Sequence, residues 1–101
     1  MAVLETIRRI TVYAGAELES NLLSRVKALG AKGYTLTECR GLGEHATLDD
    51  PLARSTHIRI ELLVQPAVAD AIMEYLSQLH VQHRPVAACV ESVQVTDPKH
   101  F

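Results

Sequence analysis

The stretch of sequence that decides the fold is His57-Ile58-Arg59-Ile60-Glu61-Leu62-Leu63-Val64. Its even positions are all apolar and alternate with His57, Arg59 and Glu61, a period of two that predicts a β-strand with one face in the core. Leu63 adds an apolar side chain to the other face. We therefore expect this strand to be buried on both faces, with oligomerisation covering the second one.

The first half of the chain predicts a strand, a helix and a second strand. Alternation at Ile10 and Val12 is typical of a half-buried strand. Gly30 follows an amphipathic helix and is expected to end it in a left-handed conformation. The run from Tyr34 to Thr37 is rich in β-forming residues and predicts the second strand. The helical stripe consists of Leu18, Leu22, Val26 and Leu29.

The second half repeats this order after the deciding strand. Pro66 is suited to the first turn of a helix, where its missing N–H costs nothing. Residues 87–95 predict a last strand, in which the blurred alternation around Cys89 suggests a bulge. The stripe of the second helix has the spacing of the first, displaced by about fifty residues, and consists of Val68, Ile72, Leu76 and Leu79.

The order βαββαβ predicts an α+β, ferredoxin-like fold with a four-stranded antiparallel sheet and two helices on one face. Right-handed crossovers place the first and third strands in the centre of the sheet. Cys39 and Cys89 then lie on opposite edge strands, too far apart to form a disulfide within one subunit. With 101 residues, we expect one domain over positions 1–101.

The connection over residues 41–56 is much longer than an antiparallel pair of strands requires. Connections above about 12–15 residues in a compact domain are usually functional or disordered. This one is rich in charged and titratable residues, namely Glu44, His45, Asp49, Asp50 and Arg54. We therefore predict that it carries function.

The composition argues against several classes of protein. The formal net charge is −2 and there is no Trp, so neither a basic surface nor a set of base-stacking rings favours nucleic-acid binding. No apolar run approaches the roughly 20 residues of a membrane span, and the N-terminal stretch does not resemble a signal peptide. The two cysteines, without an export signal, suggest free thiols in a reducing compartment. We expect a cytoplasmic protein.

Three arginines are the best candidates for binding phosphate or a small anion, because the guanidinium offers paired donors and stays charged: Arg40, Arg54 and Arg84. His80 and His83 are spaced for one helix face, but no tight cluster of histidine and cysteine is present, so a metal site is not expected. No nucleophile, base and orienting group stand together, so we do not expect an enzyme.

The run Gly30-Ala31-Lys32-Gly33-Tyr34-Thr35-Leu36-Thr37-Glu38-Cys39-Arg40-Gly41-Leu42-Gly43 resembles the entry to the T-loop of P-II signalling proteins. Its glycines, threonines, glutamate and basic residue fall in the family's order. The strand His57–Val64 resembles the family's third strand, so the resemblance covers nearly the whole chain. The connection over residues 41–56 would then be the T-loop.

The resemblance implies a homotrimer that binds an adenine nucleotide in each cleft between subunits and reports it to a protein target through the T-loop. It places the adenine near Thr35 and Leu63 and the ribose and phosphates along the backbone of Gly41, Leu42 and Gly43. Backbone N–H groups at such glycines can form an anion-binding concavity. Further candidate contacts with nucleotide are Arg40, Glu44, His83 and Arg84, and candidate anion or T-loop contacts are His45, Arg54 and His57.

Departures from the family pattern point to a divergent branch. The segment over residues 80–86 has no glycine, and the loop has no tyrosine for uridylylation. We therefore expect AMP, ADP, cyclic AMP or ATP as ligand, without classical nitrogen signalling, as in carboxysome-associated or bicarbonate-transporter-linked relatives. Bicarbonate is a candidate co-ligand, and a transporter, an enzyme or a carboxysome component is a candidate target. The alternatives are a trimeric protein binding divalent metal and a small ferredoxin-like enzyme.

Overall fold

The computed structural model describes residues 3–40 and 57–101. In this part of the chain, four strands form one antiparallel sheet in the order β2-β3-β1-β4. The elements are β1 (Glu5–Gly15), α1 (Glu19–Ala28), β2 (Thr35–Cys39), β3 (His57–Val64), α2 (Pro66–Val81) and β4 (Val86–Val95), with 3₁₀ turns at Ala16–Leu18 and Pro98–His100. The predicted ferredoxin-like fold is confirmed, including the central position of the first and third strands.

The core lies between the helices and the sheet face formed by alternate residues of β1 and β3. Ile10 lies opposite Leu62 and Val12 opposite Ile60 in the pairing of these strands, and all four side chains are buried. Buried residues of both helices, such as Leu22 and Ile72, complete this layer. The strict alternation of β3 in the sequence therefore marks the layer correctly.

The other face of the sheet carries no helix in the described part of the chain, and we call it the open face. The β3 residues on it are His57, Arg59, Glu61 and Leu63, all of which are half-buried. Tyr13 of β1 lies on this face as well, opposite Arg59, and is 47% exposed. The expected cover by further copies of the chain stays a prediction.

The end of α1 and the start of α2 follow from local chemistry. At the end of α1, the N–H of Gly30 donates to the carbonyl of Lys27 and that of Ala31 to the carbonyl of Val26, at 3.1 and 3.0 Å. These two bonds define a Schellman motif, and Gly30 has the positive φ, +122°, that it needs. Pro66 occupies the first turn of α2, where it has no N–H to leave unpaired.

The bulge expected in the last strand is absent. β4 pairs with β1 in one unbroken register from Glu5 opposite Val95 to Ala14 opposite Val86. Only Val86 of this edge strand is buried, so its side chains have little reason to alternate. Cys39 and Cys89 lie on β2 and β4, the two edge strands, and both are free thiols. Of the two helices in the described residues, neither is long and apolar enough to cross a membrane.

Candidate ligand-binding cleft

A cleft of about 300 Å³ opens at the end of the sheet where β2 begins. It is formed by the start of β2 with the residues before it, the second half of β3, one residue of β1, and the segment over residues 97–101, which folds back from β4. The strands and the three residues that precede β2 contribute most of its lining, namely Arg9, Lys32, Gly33, Tyr34, Thr35, Glu61 and Leu63.

Strand pairing explains why these side chains meet. Thr35 lies opposite Glu61 across β2 and β3, and Leu63 lies opposite Arg9 across β3 and β1. Directly opposed residues of an antiparallel pair have Cβ atoms about 4.5–5.5 Å apart on one face. Thr35 and Leu63, the two side chains that the family resemblance implies to lie near an adenine, are therefore brought to one cleft.

Those predicted basic and histidine contacts that the structure describes lie at the opposite end of the sheet. Arg40 follows β2, and His57 begins β3 opposite Cys39. The N–H of Gly15, at the end of β1, donates to the carbonyl of Pro85 over 3.3 Å, and this bond brings the connection between α2 and β4 to the same end.

His83 and Arg84 belong to that connection. His83 turns the chain with a positive φ of +61°. The strands rise about 3.3 Å per residue and lie about 4.8 Å apart, so Arg84 is roughly 20 Å from Thr35 within one chain. The structure does not bring the two groups of predicted contacts together in a single copy. Other candidates lie outside the described residues, namely Gly41, Leu42, Gly43, Glu44, His45 and Arg54.

Charged groups surround the cleft on the open face. Arg9 donates from Nε and Nη2 to Oε1 of Glu91, at 2.9 and 2.6 Å. This hydrogen bond, followed by the charge of Glu91, raises the pKa of Arg9. The guanidinium is cationic beside the cleft, as arginine is in any protein. Arg59 Nε is 3.9 Å from Oε1 of Glu61 and is buried without a hydrogen-bond partner in the described part of the chain.

Of the cleft's lining, the sequence predicted only Thr35 and Leu63 as contacts, and the return of the 97–101 segment to the cleft was not predicted at all. Gln65 Nε2 donates to the carbonyl of Pro98 over 3.0 Å, and Lys32 Nζ donates to the carbonyl of Lys99 over 3.2 Å. These bonds hold His100 and Phe101 against the cleft, which both residues line. Pro98 and the chain's single Phe were the available signals, but neither specifies a long-range contact.

Side chains that could bind a metal are scattered over the described residues. Within 3–40 and 57–101, no three side chains among His, Cys, Asp and Glu come together in a way that could hold an ion. His80 lies in the last turn of α2, and His83 comes after the helix has ended. The two histidines are therefore not on one helix face. No donor set in this part of the chain fits a metal.

Comparison with known proteins identifies the family. The model of the family "Nitrogen regulatory protein P-II" matches residues 7–100. The chain belongs to this family. The fold and the strand order of the structure are a separate observation that agrees with this assignment. A search of curated protein sequences found no significant match.

Solved structures give the same result. A protein of Thermus thermophilus described as PII-like and signalling is 34% identical, with 97% of each chain covered and a TM-score of 0.80. CPII from Thiomonas intermedia K12, bound to ADP and bicarbonate, is 20% identical, with 100% of this chain and 99% of that chain covered and a TM-score of 0.86. At that identity, the likeness to CPII shows the fold alone.

Proposed function

We propose that this protein is a non-enzymatic, cytoplasmic regulatory protein that binds an adenine nucleotide in clefts between the subunits of a homotrimer. The bound nucleotide controls the conformation of the T-loop, residues 41–56, and through it the binding of a protein target. The ligand is AMP, ADP, cyclic AMP or ATP, with bicarbonate as a co-ligand that links the response to inorganic carbon. A transporter, an enzyme or a carboxysome component is the expected kind of target.

The observation that carries this proposal is the shared cleft of Thr35 and Leu63. Leu63 offers an aliphatic surface to a flat base, and the Thr35 hydroxyl can both donate and accept a hydrogen bond. Glu61, in the same cleft, can accept from an exocyclic amino group. The cleft thus combines an apolar surface with convergent polar groups, and small-molecule sites use such polar groups to fix the orientation of the ligand.

The separation of the two groups of predicted contacts supports a site between subunits. One nucleotide is shorter than the roughly 20 Å, estimated from strand geometry, between Thr35 and Arg84 of one chain. A base held at Thr35 and phosphates held at Arg84 are therefore more readily supplied by two copies than by one. The half-buried row of β3 on the open face, including Arg59 and Leu63, gives such copies a surface to cover.

Relatives supply the class of ligand. Among the solved forms of CPII, one is bound to ADP and bicarbonate and another to ADP, AMP and bicarbonate. Two of the three arginines predicted to bind anions, Arg40 and Arg84, are described by the structure. Both can pair with the anionic groups of such ligands, because guanidinium pairs well with phosphate and carboxylate oxygens.

Calorimetric titration tests the proposal. The purified protein is titrated with AMP, ADP, ATP and cyclic AMP, each with and without Mg²⁺ and bicarbonate, and its mass in solution is measured by light scattering. We expect a trimer with one nucleotide site per subunit and tighter binding in bicarbonate. A monomer, or the absence of heat with every adenine nucleotide, would refute the proposal.

A further inference from the structure

We propose that Phe101 forms a wall of the base-binding cleft and packs against the flat face of the bound purine, held there by the 97–101 segment. This inference rests on the proposed function, because it concerns how the same cleft recognises its ligand. It assigns a ligand contact to a residue beyond the last strand, outside the strand and loop motifs that carry the resemblance to the family.

The 97–101 segment is held in place by other parts of the chain. Gln65, the residue before α2, donates from Nε2 to the carbonyl of Pro98 over 3.0 Å. Lys32, in the approach to β2, donates from Nζ to the carbonyl of Lys99 over 3.2 Å. Two elements far apart in sequence therefore bind consecutive carbonyls of the segment.

The segment also has internal structure. It forms a 3₁₀ turn in which the N–H of Phe101 donates to the carbonyl of Pro98 over 3.1 Å. The ring of His100 lies 3.0 Å from a carboxylate oxygen of Asp97. With φ of Pro98 restricted by its ring, the turn leaves Phe101 few alternative positions. A pre-positioned aromatic side chain loses little entropy when a ligand arrives.

The chemistry of the cleft gives Phe101 its role. Tyr34 and Phe101 are the aromatic residues among those that line it, and Phe101 is half-buried there while Tyr34 is 57% exposed. Aromatic rings pack favourably on the flat faces of nucleic-acid bases. Leu63 belongs to the same lining, so a base in the cleft meets an aliphatic and an aromatic surface.

The size of the cleft agrees with this role. With the segment in place, the cleft has a volume of about 300 Å³, at the lower end of the range of about 300–1,000 Å³ for small-molecule sites. The segment therefore bounds the cleft without filling it. The remaining space suits the base end of a nucleotide, while its phosphates extend beyond the lining residues.

The test compares Phe101→Ala with the wild-type protein and with Val3→Ala, whose side chain is 80% exposed and outside the cleft. Affinities for AMP and ADP are measured by calorimetry. We expect Phe101→Ala to weaken both by about tenfold, because loss of one stacking contact costs that order of affinity. Equal losses are expected since the two ligands share the base. Val3→Ala should bind as the wild type does.

The outcomes separate this inference from the proposed function. If the wild type binds and Phe101→Ala binds equally well, the role of Phe101 is refuted and the nucleotide site stands. A loss for ADP but not for AMP would place Phe101 at the phosphates and would also refute the inference. Failure of the wild type to bind any adenine nucleotide would overturn both proposals.

Gln65 provides a second test, because it anchors the segment without lining the cleft and is therefore a positioning residue. Gln65→Leu should weaken AMP binding by about threefold, the effect of one lost hydrogen bond. In a Phe101→Ala background the same change should have little further effect, since it acts through the ring. Fully additive losses in this double-mutant cycle would show that Gln65 does not act through Phe101 and would contradict the inference.

Discussion

Thr35 lies directly opposite Glu61 in the antiparallel pairing of β2 and β3, and both side chains line the cleft. This pairing places a hydroxyl and a carboxylate side by side on neighbouring strands, with Cβ atoms about 4.5–5.5 Å apart. The polar side of the cleft therefore starts from two strand positions that the pairing of the sheet defines.

The first prediction concerns the Thr35 hydroxyl. Thr35→Val keeps the shape of the side chain and removes its hydrogen bond, so we expect adenine-nucleotide affinity to fall about fivefold in calorimetry. Thr37→Val is the matched control, because Thr37 is two residues further along the same strand face, is exposed, and does not line the cleft. Equal effects of the two changes would contradict a specific role for Thr35.

The second prediction concerns the glycine that ends α1. Gly30→Ala places a Cβ at φ +122° and 3.0 Å from Cγ2 of Val68, so we expect a loss of about 1–3 kcal/mol in the free energy of unfolding. Gly33→Ala is the control, since no atom lies within 4 Å of its added Cβ. Because alanine restricts the unfolded chain, this control should range from neutral to about 1 kcal/mol more stable. Urea denaturation at fixed protein concentration measures the unfolding free energies of both variants. Equal losses would show that the positive φ of Gly30 is not the cause.

The third prediction concerns the layer between α2 and the sheet. Ile72 is fully buried, so Ile72→Ala should lower the free energy of unfolding by about 2–5 kcal/mol through lost burial and the cavity left behind. Val81 is the last residue of the same helix and is 73% exposed. Val81→Ala should therefore change the free energy of unfolding by less than about 0.5 kcal/mol. The difference is read from chemical denaturation at one protein concentration, so that self-association cannot alter the comparison. Similar values for the two variants would mean that α2 does not pack as described.

The fourth prediction concerns the two thiols. Cys39 and Cys89 occupy opposite edge strands of a four-stranded sheet, which separates their Cα atoms by well over the about 7 Å that a disulfide tolerates. Mild oxidation should therefore leave no intramolecular bond, as intact mass and peptide mapping under non-reducing conditions would show. Cys89→Ser serves as the control for oxidation between molecules. A Cys39–Cys89 cross-link within one chain would contradict the strand order.

The sequence predicted the elements whose signal is local. The alternation of β3 identified Ile58, Ile60, Leu62 and Val64 as one buried row, and all four are at most 1% exposed. Gly30 was predicted to end α1 because a left-handed cap is a property of one residue and its neighbours. The helix stripes carried similar information, since amphipathic spacing directly reflects which side meets the sheet.

Features that depend on distant contacts were not predictable in the same way. β1 extends from Glu5 to Gly15, well beyond the alternation at Ile10 and Val12, because pairing on both sides lengthens a strand whatever its outer residues. The expectation of a bulge near Cys89 was wrong, since irregular polarity there reflects an exposed edge and not an extra residue. The return of the 97–101 segment depends on single hydrogen bonds across the fold, which leave no period in the sequence.

The double pairing of β1 has a consequence for the kinetics of local opening. Between Arg8 and Ala14 the strand is bonded to β3 on one side and to β4 on the other, so every backbone amide proton there points at a carbonyl of a neighbouring strand. Each such proton exchanges with deuterium once the one strand that accepts its hydrogen bond detaches, and for those that point at β4 this is an edge strand. The β1 amides bonded to the central strand β3 should thus be the last to take up deuterium and the best reporters of global unfolding.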